Sequence, residues 1–371
     1  AALTNAAVRD IDFRSANLAP GVSLDGLRNN LPNSTPILAN IEPEYIQVAG
    51  NLAFVTLQEN NAVAVLNLDS QQWTDIYPLG TIEQVIDASD RDGDTPGSVS
   101  IGDPVAGLPM PDALDVFSVS GQSYFVTANE GDFHPDDADR TARIEDLDRA
   151  QIDDAYEAEL DAFYGRDFSD PNDLGFQNPE NLGRLRVSAV DGLNADGQFE
   201  AFIAPGTRSF SIWDAATGAL VFDPGSLEPL LFDLDPEFHN AEDGTADEFD
   251  SRSDAKGPEP EALAVIDLGH SILLALGLER QNGILLFDLS DPLAPVFEGY
   301  VNSAADGLVA PESLVWVAPE DSPNGDLLLL AGYEGEGGAI GVYSVAVPEP
   351  GTLALMGLGL LALLRVRRLA V

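Results

Sequence analysis

A proline followed by a carboxylate opens an apolar run four times in this chain. The copies read "IEPEYIQV", "MPDALDVF", "GPEPEALAV" and "VAPESLVWV", with acids at Glu44, Asp112, Glu261 and Glu312. Each run leads through a short turn to a second apolar run and a second carboxylate: Glu59, Glu130, Glu279 and Glu334. A third run follows in each unit, and a fourth, "WTDIYPL", "ALVFD" or "PVFEGYV", in three of them. The runs are short, apolar and β-branched, with Gly, Asn and Asp between them, which predicts strands and turns. A four-stranded unit repeated in order along a chain predicts an all-β fold, a β-propeller of four-stranded blades. The blades fall at about residues 41–80, 110–223, 258–302 and 309–346, within one domain over residues 1–346.

The second unit is interrupted at residues 131–206, and its third and fourth strands resume at "RSFSIWD" and "ALVFD". Within the interruption, "RIEDLDRAQIDDAYEAELDAFY" spaces Ile144, Leu147, Ile152, Tyr156, Leu160 and Phe163 for one amphipathic helix, a structural flap on the disc. "GRLRVSAV" and "QFEAFI" predict a β-hairpin after it.

In a blade, the first strand runs along the central axis and the second returns. The acids before the first strand and after the second then share one face, near the channel mouth. Eight carboxylates held there repel one another unless a cation or a proton relieves them. Ca²⁺, which binds about six to eight oxygens, suits such a set. The alternative is that each acid accepts backbone N–H bonds or pairs with an arginine, for which Arg208 and Arg280 are the candidates, as they are for holding a ligand. Pro43, Pro111, Pro260 and Pro311 fix φ and withhold an N–H, which sharpens entry into the strand.

Two further clusters have the oxygen density and glycine bend of peripheral calcium loops: Asp87, Asp90, Asp92 and Asp94 in "DASDRDGDTPG", and Asp191, Asn194, Asp196 and Glu200 in "DGLNADGQFE". Neither has full EF-hand spacing, and Asx turns produce the same composition. The acid-rich "EFHNAEDGTADEFDSRSD" reads as a solvated loop.

The chain carries 17 Lys and Arg against 63 Asp and Glu, a formal charge of −46. That field repels nucleic acid and anionic lipid and attracts divalent cations; adaptation to salty water explains it equally well. No cysteine is present, so disulfides, thiolate metal sites and a cysteine nucleophile are excluded. His134, His239 and His270 form no HExxH spacing.

The C-terminus reads "VPEPGTLALMGLGLLALLRVRRLAV". Its apolar run at 353–364 is too short for an ordinary spanning helix, and Arg365, Arg367 and Arg368 follow at once. Pro348, Glu349 and Pro350, the short hydrophobic segment and the arginine cluster together resemble a PEP-CTERM sorting tail over residues 347–371. The resemblance implies export in a Gram-negative bacterium, removal of the anchor by an exosortase, and delivery to the cell surface or extracellular matrix, with only transient membrane contact. The opening "AALTNAAVRD" has no initiator Met and no export signal, which reads as part of a longer product.

"IEPEYIQVAGNLAFVTLQENNAV", "DASDRDG", "TANEGD", "NLGRL", "TRSFSIWD", "GPEPEA" and "GLERQNGILLFDLSDPLAPVF" resemble, in order, the motifs of the choice-of-anchor I domain, a secreted seven-bladed propeller family. The resemblance implies about three further blades upstream, so that this chain corresponds to the C-terminal four blades plus one strand. Two functions are then compatible with the chain, the first a non-catalytic, calcium-stabilised extracellular propeller that binds a polysaccharide, as PEP-CTERM proteins suggest by analogy, or a surface protein. The alternative is a metal-dependent phosphohydrolase, alkaline phosphatase- or phytase-like, using the acidic mouth with Arg208, Arg280 and Lys256 to hold phosphate. No P-loop, histidine cluster or nucleophilic serine motif supports that activity.

Overall fold

The computed structural model of the chain describes residues 9–29, 35–92, 98–133, 140–335 and 337–346. Strands β1 (Pro43–Ala49), β2 (Leu52–Leu57), β3 (Ala62–Asn67) and β4 (Gln72–Pro78) form an antiparallel sheet in chain order. The turn from β1 to β2 is only two residues long, and Gly50 supplies the left-handed backbone it needs (φ 62°). β5 (Ile82–Ile86) and β6 (Asp103–Leu108) follow as an antiparallel pair.

A second sheet begins with β7 (Leu114–Val119) and β8 (Gln122–Ala128). The chain then departs through β9 (Arg140–Arg143), α1 (Asp154–Phe163), β10 (Arg186–Ser188) and β11 (Ile203–Pro205). It returns as β12 (Phe210–Asp214) and β13 (Leu220–Phe222). β12 pairs with β8 from Phe210↔Ala128 to Asp214↔Tyr124, which completes a four-stranded sheet ordered β13-β12-β8-β7. After α2 (Glu228–Leu234), a third sheet comprises β14 (Pro260–Asp267), β15 (Ile272–Leu278), β16 (Ile284–Asp288) and β17 (Val296–Val301). The last is three-stranded: β18 (Pro311–Val317), β19 (Leu327–Tyr333) and β20 (Ala339–Val345). The protein is thus all-β, with several four-stranded antiparallel sheets and two α-helices among the described residues.

The apolar runs that predict strands also pack one sheet on the next. Phe125 on β8 lies between Phe54, Tyr77 and Trp213, joining the first and second sheets. Phe210, Leu231 and Leu274 belong to the core between the second and third sheets. Ala275, Ile284, Leu314 and Leu329 join the third to the last. All seven residues of β15 are buried, so burying its side chains, at roughly 1.5–3 kcal/mol for each large aliphatic, anchors the third sheet.

The first strands of the sheets are neighbours: β1 beside β7, β7 beside β14, and β14 beside β18. Asp115 on β7 makes the tie explicit. Its Oδ1 accepts from Gln47 Nε2 on β1 (2.5 Å), and its Oδ2 accepts from the Val265 N–H on β14 (2.8 Å). Trp316 on β18 donates its indole N–H to the Ala264 carbonyl on β14 (3.0 Å).

The excursion differs from the sequence expectation in two ways. The predicted single helix is a 3₁₀ turn at Ile144–Asp146, another at Arg149–Gln151, and then α1. Asp148 caps the second turn through a reciprocal bond with Gln151, and Asp153 caps α1 by accepting from Ala155 N (3.0 Å) and Tyr156 N (3.3 Å). Ile152 between them is extended (φ −111°, ψ 138°). Two acidic caps divide a run that apolar period alone reads as continuous. Nor do the two later segments pair as a hairpin. β10 pairs with β9, and β11 runs parallel to β6. The excursion therefore shares a core with the β5–β6 region, built on Ile86, Val105, Ile144, Phe176 and Phe202.

Candidate functional site

The repeated Pro-acid pairs mark a shared backbone device. In β1, β14 and β18 the pairing register shifts directly at the pair: Pro43↔Leu57 is followed by Ile46↔Val55, Pro260↔Leu278 by Leu263↔Leu276, and Pro311↔Tyr333 by Ser313↔Gly332. One extra residue sits on the first strand each time, a β-bulge that re-aims the acid out of the regular alternation. Proline fits there because a bulge leaves an N–H unpaired. The residue before the proline is left-handed in three units: Met110 (φ 42°), Glu259 (φ 52°) and Ala310 (φ 57°). Its carbonyl accepts an N–H from the second acid or the residue after it: Gly131 N to Met110 O (3.1 Å), Glu279 N to Glu259 O (2.9 Å) and Glu334 N to Ala310 O (2.9 Å).

These devices gather six of the eight expected acids around one cleft of about 590 Å³: Asp112, Glu130, Glu261, Glu279, Glu312 and Glu334. Glu261, Glu279 and Glu312 each bring a carboxylate oxygen within 4.8 Å of the others. Burial pushes the Glu261 carboxyl far above the usual range, and its hydrogen bonds with Glu312 and Glu279 keep it there. Glu279 and Glu312 are raised as well, in both cases first by burial. Asp112 is pushed up to about 7, by burial and then by Glu130, Glu44 and Glu312. Glu44 and Glu59 lie with Glu42 in an adjoining cluster, again within 4.8 Å. Glu59 is pushed up to about 7 by burial, and its Oε2 has no hydrogen-bond partner.

The cleft also holds cations. Lys256 pairs with Glu130 (2.5 Å) and with the fully buried Glu259 (2.8 Å). Arg280 pairs with Glu279 (2.7 Å) and Glu242 (3.3 Å), and Arg252 pairs with Glu259 and Glu242. Arg186 lines the cleft too. Burial opposes the Lys256 charge, but Glu259 and Glu130 outweigh it and hold its ammonium proton well above the ordinary range. Glu259 and Arg252 carry no strand-entry or turn signature, so the repeat pattern does not reveal them. Lys256, Arg252 and Arg280 are thus occupied by Glu130, Glu242, Glu259 and Glu279, while Glu261 and Glu312 face each other.

Arg208 lies elsewhere. It is 1% exposed, pairs with the buried Glu228, and donates to the carbonyls of Asp87 (2.7 Å), Ser253 (2.8 Å) and Ala255 (3.3 Å). It ties the second sheet to the segment before β14 and does not line the cleft.

The loop acids also separate. Asp87 is fully buried, Asp90 is held by Arg184 (2.8 Å), and Asp92 accepts from Ser100 N (2.7 Å). Asp94 lies outside the described residues, as do Pro348, Glu349, Pro350, Arg365, Arg367 and Arg368. In the other loop Asp191 pairs with Arg28 (2.8 Å), and Asn194 Oδ1 accepts from Asp196 N and Gln198 N (both 3.0 Å). Asp196 and Glu200 are exposed. Those bonds are the Asx-turn chemistry that the composition also fits. The stretch expected to be a solvated loop is not one: His239, Asn240, Asp250 and Ser253 are all buried.

Comparison with known proteins bears on this chain at both ends. The model of the choice-of-anchor I domain matches residues 1–292, and that of the PEP-CTERM protein-sorting motif matches residues 346–368. Gigasin-3a from Magallana gigas is 31% identical over 134 residues, covering 34% of this chain and 45% of that protein. The match therefore spans less than half of that relative's length. Among solved structures, Kuenenia stuttgartiensis hydrazine synthase aligns over 83% of this chain and 84% of that one, at 12% identity and a TM-score of 0.25. The computationally designed Ika8 protein aligns over 82% and 97%, at 12% identity and a TM-score of 0.20. Neither likeness bears on the fold.

Proposed function

From the premise that this chain belongs to the choice-of-anchor I domain family, and is exported to the cell surface under a PEP-CTERM motif read by an exosortase-type system, we propose that it is a non-catalytic β-propeller protein whose acidic cleft binds calcium. The propeller reading is supported by successive sheets packed in chain order with their first strands side by side. The calcium reading is carried by one observation: Glu261, Glu279 and Glu312 converge within 4.8 Å from two different sheets. An all-oxygen donor set of this kind fits a hard cation, with Asp112 and Glu334 on the same cleft wall to complete the shell. A bound calcium would relieve the repulsion that otherwise forces protons onto these acids. The partner of the exposed face is then an extracellular polysaccharide or a surface protein, bridged through calcium.

Thermal melting in calcium and in chelator tests the reading. Calcium raises the melting temperature by several degrees, and replacing Glu261 and Glu279 together with Gln removes that increment. Superimposable melting curves in calcium and chelator would sink the calcium claim.

A second reading, a metal-dependent phosphohydrolase, draws support from Arg186, Arg252, Lys256 and Arg280 on the cleft. Ion pairing of the last three to carboxylates weighs against their holding phosphate. Turnover of phosphomonoesters or phytate in excess calcium by the wild type, abolished by the Glu261 and Glu279 substitutions, would replace the non-catalytic reading with this one.

A further inference from the structure

Away from the cleft, Asp87, His239 and Asp250 each bring one donor atom within 4.8 Å of the others, and all three are at most 2% exposed. Burial raises the carboxyls of Asp87 and Asp250, and Asp92 lies close enough for its charge to raise them further. His239 Nε2 sits 2.9 Å from Asp87 Oδ2. The remaining polar atoms are the anomaly. His239 Nδ1, Asp250 Oδ2 and Asp92 Oδ1 are buried and have no hydrogen-bond partner. Asp250 spends only its other oxygen, Oδ1, on the Ser253 hydroxyl (2.5 Å).

A buried polar atom left unpaired costs about 1–3 kcal/mol, and a buried unpaired charge costs more. Here three such atoms occur on residues of one cluster. The nearest cation, Arg208, is already committed to Glu228 and to three carbonyls. Burial favours the neutral imidazole of His239, which is the form that ligates metal. One imidazole with three carboxylates is too nitrogenous and too small a set for calcium, which asks for about six to eight oxygens. It matches the donors of first-row divalent transition ions.

We infer that Asp87, Asp92, His239 and Asp250 form a second metal site, the first, third and fourth of them buried, that takes a first-row divalent transition ion such as Zn²⁺. The site is structural in character, since it pins the segment leading into β14 to the loop after β5. It is independent of the calcium reading of the cleft.

The test uses the full chain, stripped of metal with chelator and titrated with Co²⁺ and then Zn²⁺. One equivalent of Co²⁺ per chain should bind, with the intense visible absorption of a low-coordinate nitrogen and oxygen site, and Zn²⁺ should displace it. His239→Gln and Asp250→Asn should each weaken binding by about tenfold or more. The double cleft variant, Glu261→Gln with Glu279→Gln, should bind Co²⁺ as the wild type does. Absence of a tight equivalent in the wild type, or the weak spectrum of an all-oxygen octahedral ion, overturns the inference without any variant. So does undiminished binding by folded Asp250→Asn, or loss of binding in the cleft variant.

Discussion

The backbone N–H of Glu279 donates to the carbonyl of Glu259 at 2.9 Å, across the left-handed residue that precedes Pro260 and Glu261. Glu334 and Ala310 repeat the relationship one sheet later. The two acids of these units, Glu261 with Glu279 and Glu312 with Glu334, lie eighteen and twenty-two residues apart in the chain and are thereby fixed to one backbone frame. Their convergence follows from main-chain geometry, and the strain of a non-glycine left-handed residue, of the order of 1–3 kcal/mol, is the cost of that placement.

Glycine at the edge of the cleft is the first case in point. A Cβ on Gly131 would lie 1.9 Å from the backbone nitrogen of Gly206, where nothing flexible can give way, and its φ is +82°. Gly121 has nearly the same φ, +84°, but faces open space. Gly131→Ala should destabilise the protein by about 3 kcal/mol or more, and Gly121→Ala by about 1 kcal/mol. Denaturant midpoints of the two variants check the contrast. Equal losses would mean that backbone conformation alone matters at both positions.

Metal-free protein should be less stable at pH 8 than at pH 5. Glu59 and Asp112 are raised from 4.5 and 3.8 to about 7, so the folded state holds their protons to higher pH than the unfolded chain does. The stability they contribute is fully present below about pH 4 and is lost as pH rises through about 7. Glu259 acts with the opposite sign, because it is lowered, but its effect is confined to pH below 4.5. Urea midpoints in chelator between pH 5 and 8 should therefore fall, and a flat or rising midpoint contradicts this account.

Arg208→Met should cost about 3–5 kcal/mol, because it leaves the fully buried Glu228 without its charge partner. Adding Glu228→Gln should recover part of the loss, since the unpaired charge is then gone. A double-mutant cycle by denaturant unfolding measures the coupling. Additive losses would show that packing, not charge, is what Arg208 supplies.

Lys256 is the single lysine of the chain. Its ammonium is enclosed by Glu130 and Glu259, and those carboxylates hold its proton. Amine acylation of the native protein should leave the peptide containing Lys256 unmodified, while denatured protein should be modified there to completion. Peptide mass spectrometry reads both states, and ready labelling in the native state would show that the enclosure opens.

The strands of the repeated units were legible because they are short apolar runs separated by Gly and Asn, as at Gly50 and Asn61, whereas β5, β6 and β9 lie outside the repeat and were not anticipated. Six acids of the cleft were legible too, because the Pro-acid pair recurs with the strands. The bulge at Pro260 and the left-handed Glu259 were not, since a register shift depends on the partner strand and leaves no local pattern. Arg252 escaped notice because its charge is paired by tertiary contact within a segment whose composition suggests solvation, and Glu259 because its place before Pro260 gives no sign of the cations it meets. His239 was hidden in the same way. One histidine in an acidic stretch has no spacing to betray it, and only Asp87, 152 residues earlier in the chain, gives it meaning.

The pairing of Phe210 with Ala128 also sets an order of events. The first and third sheets are meanders, so each can close as soon as its own few dozen residues are available. The second sheet cannot. Until the whole excursion has emerged and collapsed on its own core, β8 keeps one edge unsatisfied. Non-local closure of this kind is slow, and it exposes a template for pairing with other chains meanwhile. For an exported protein, this seam should be the slowest part of the fold to close and the part most in need of protection until it does.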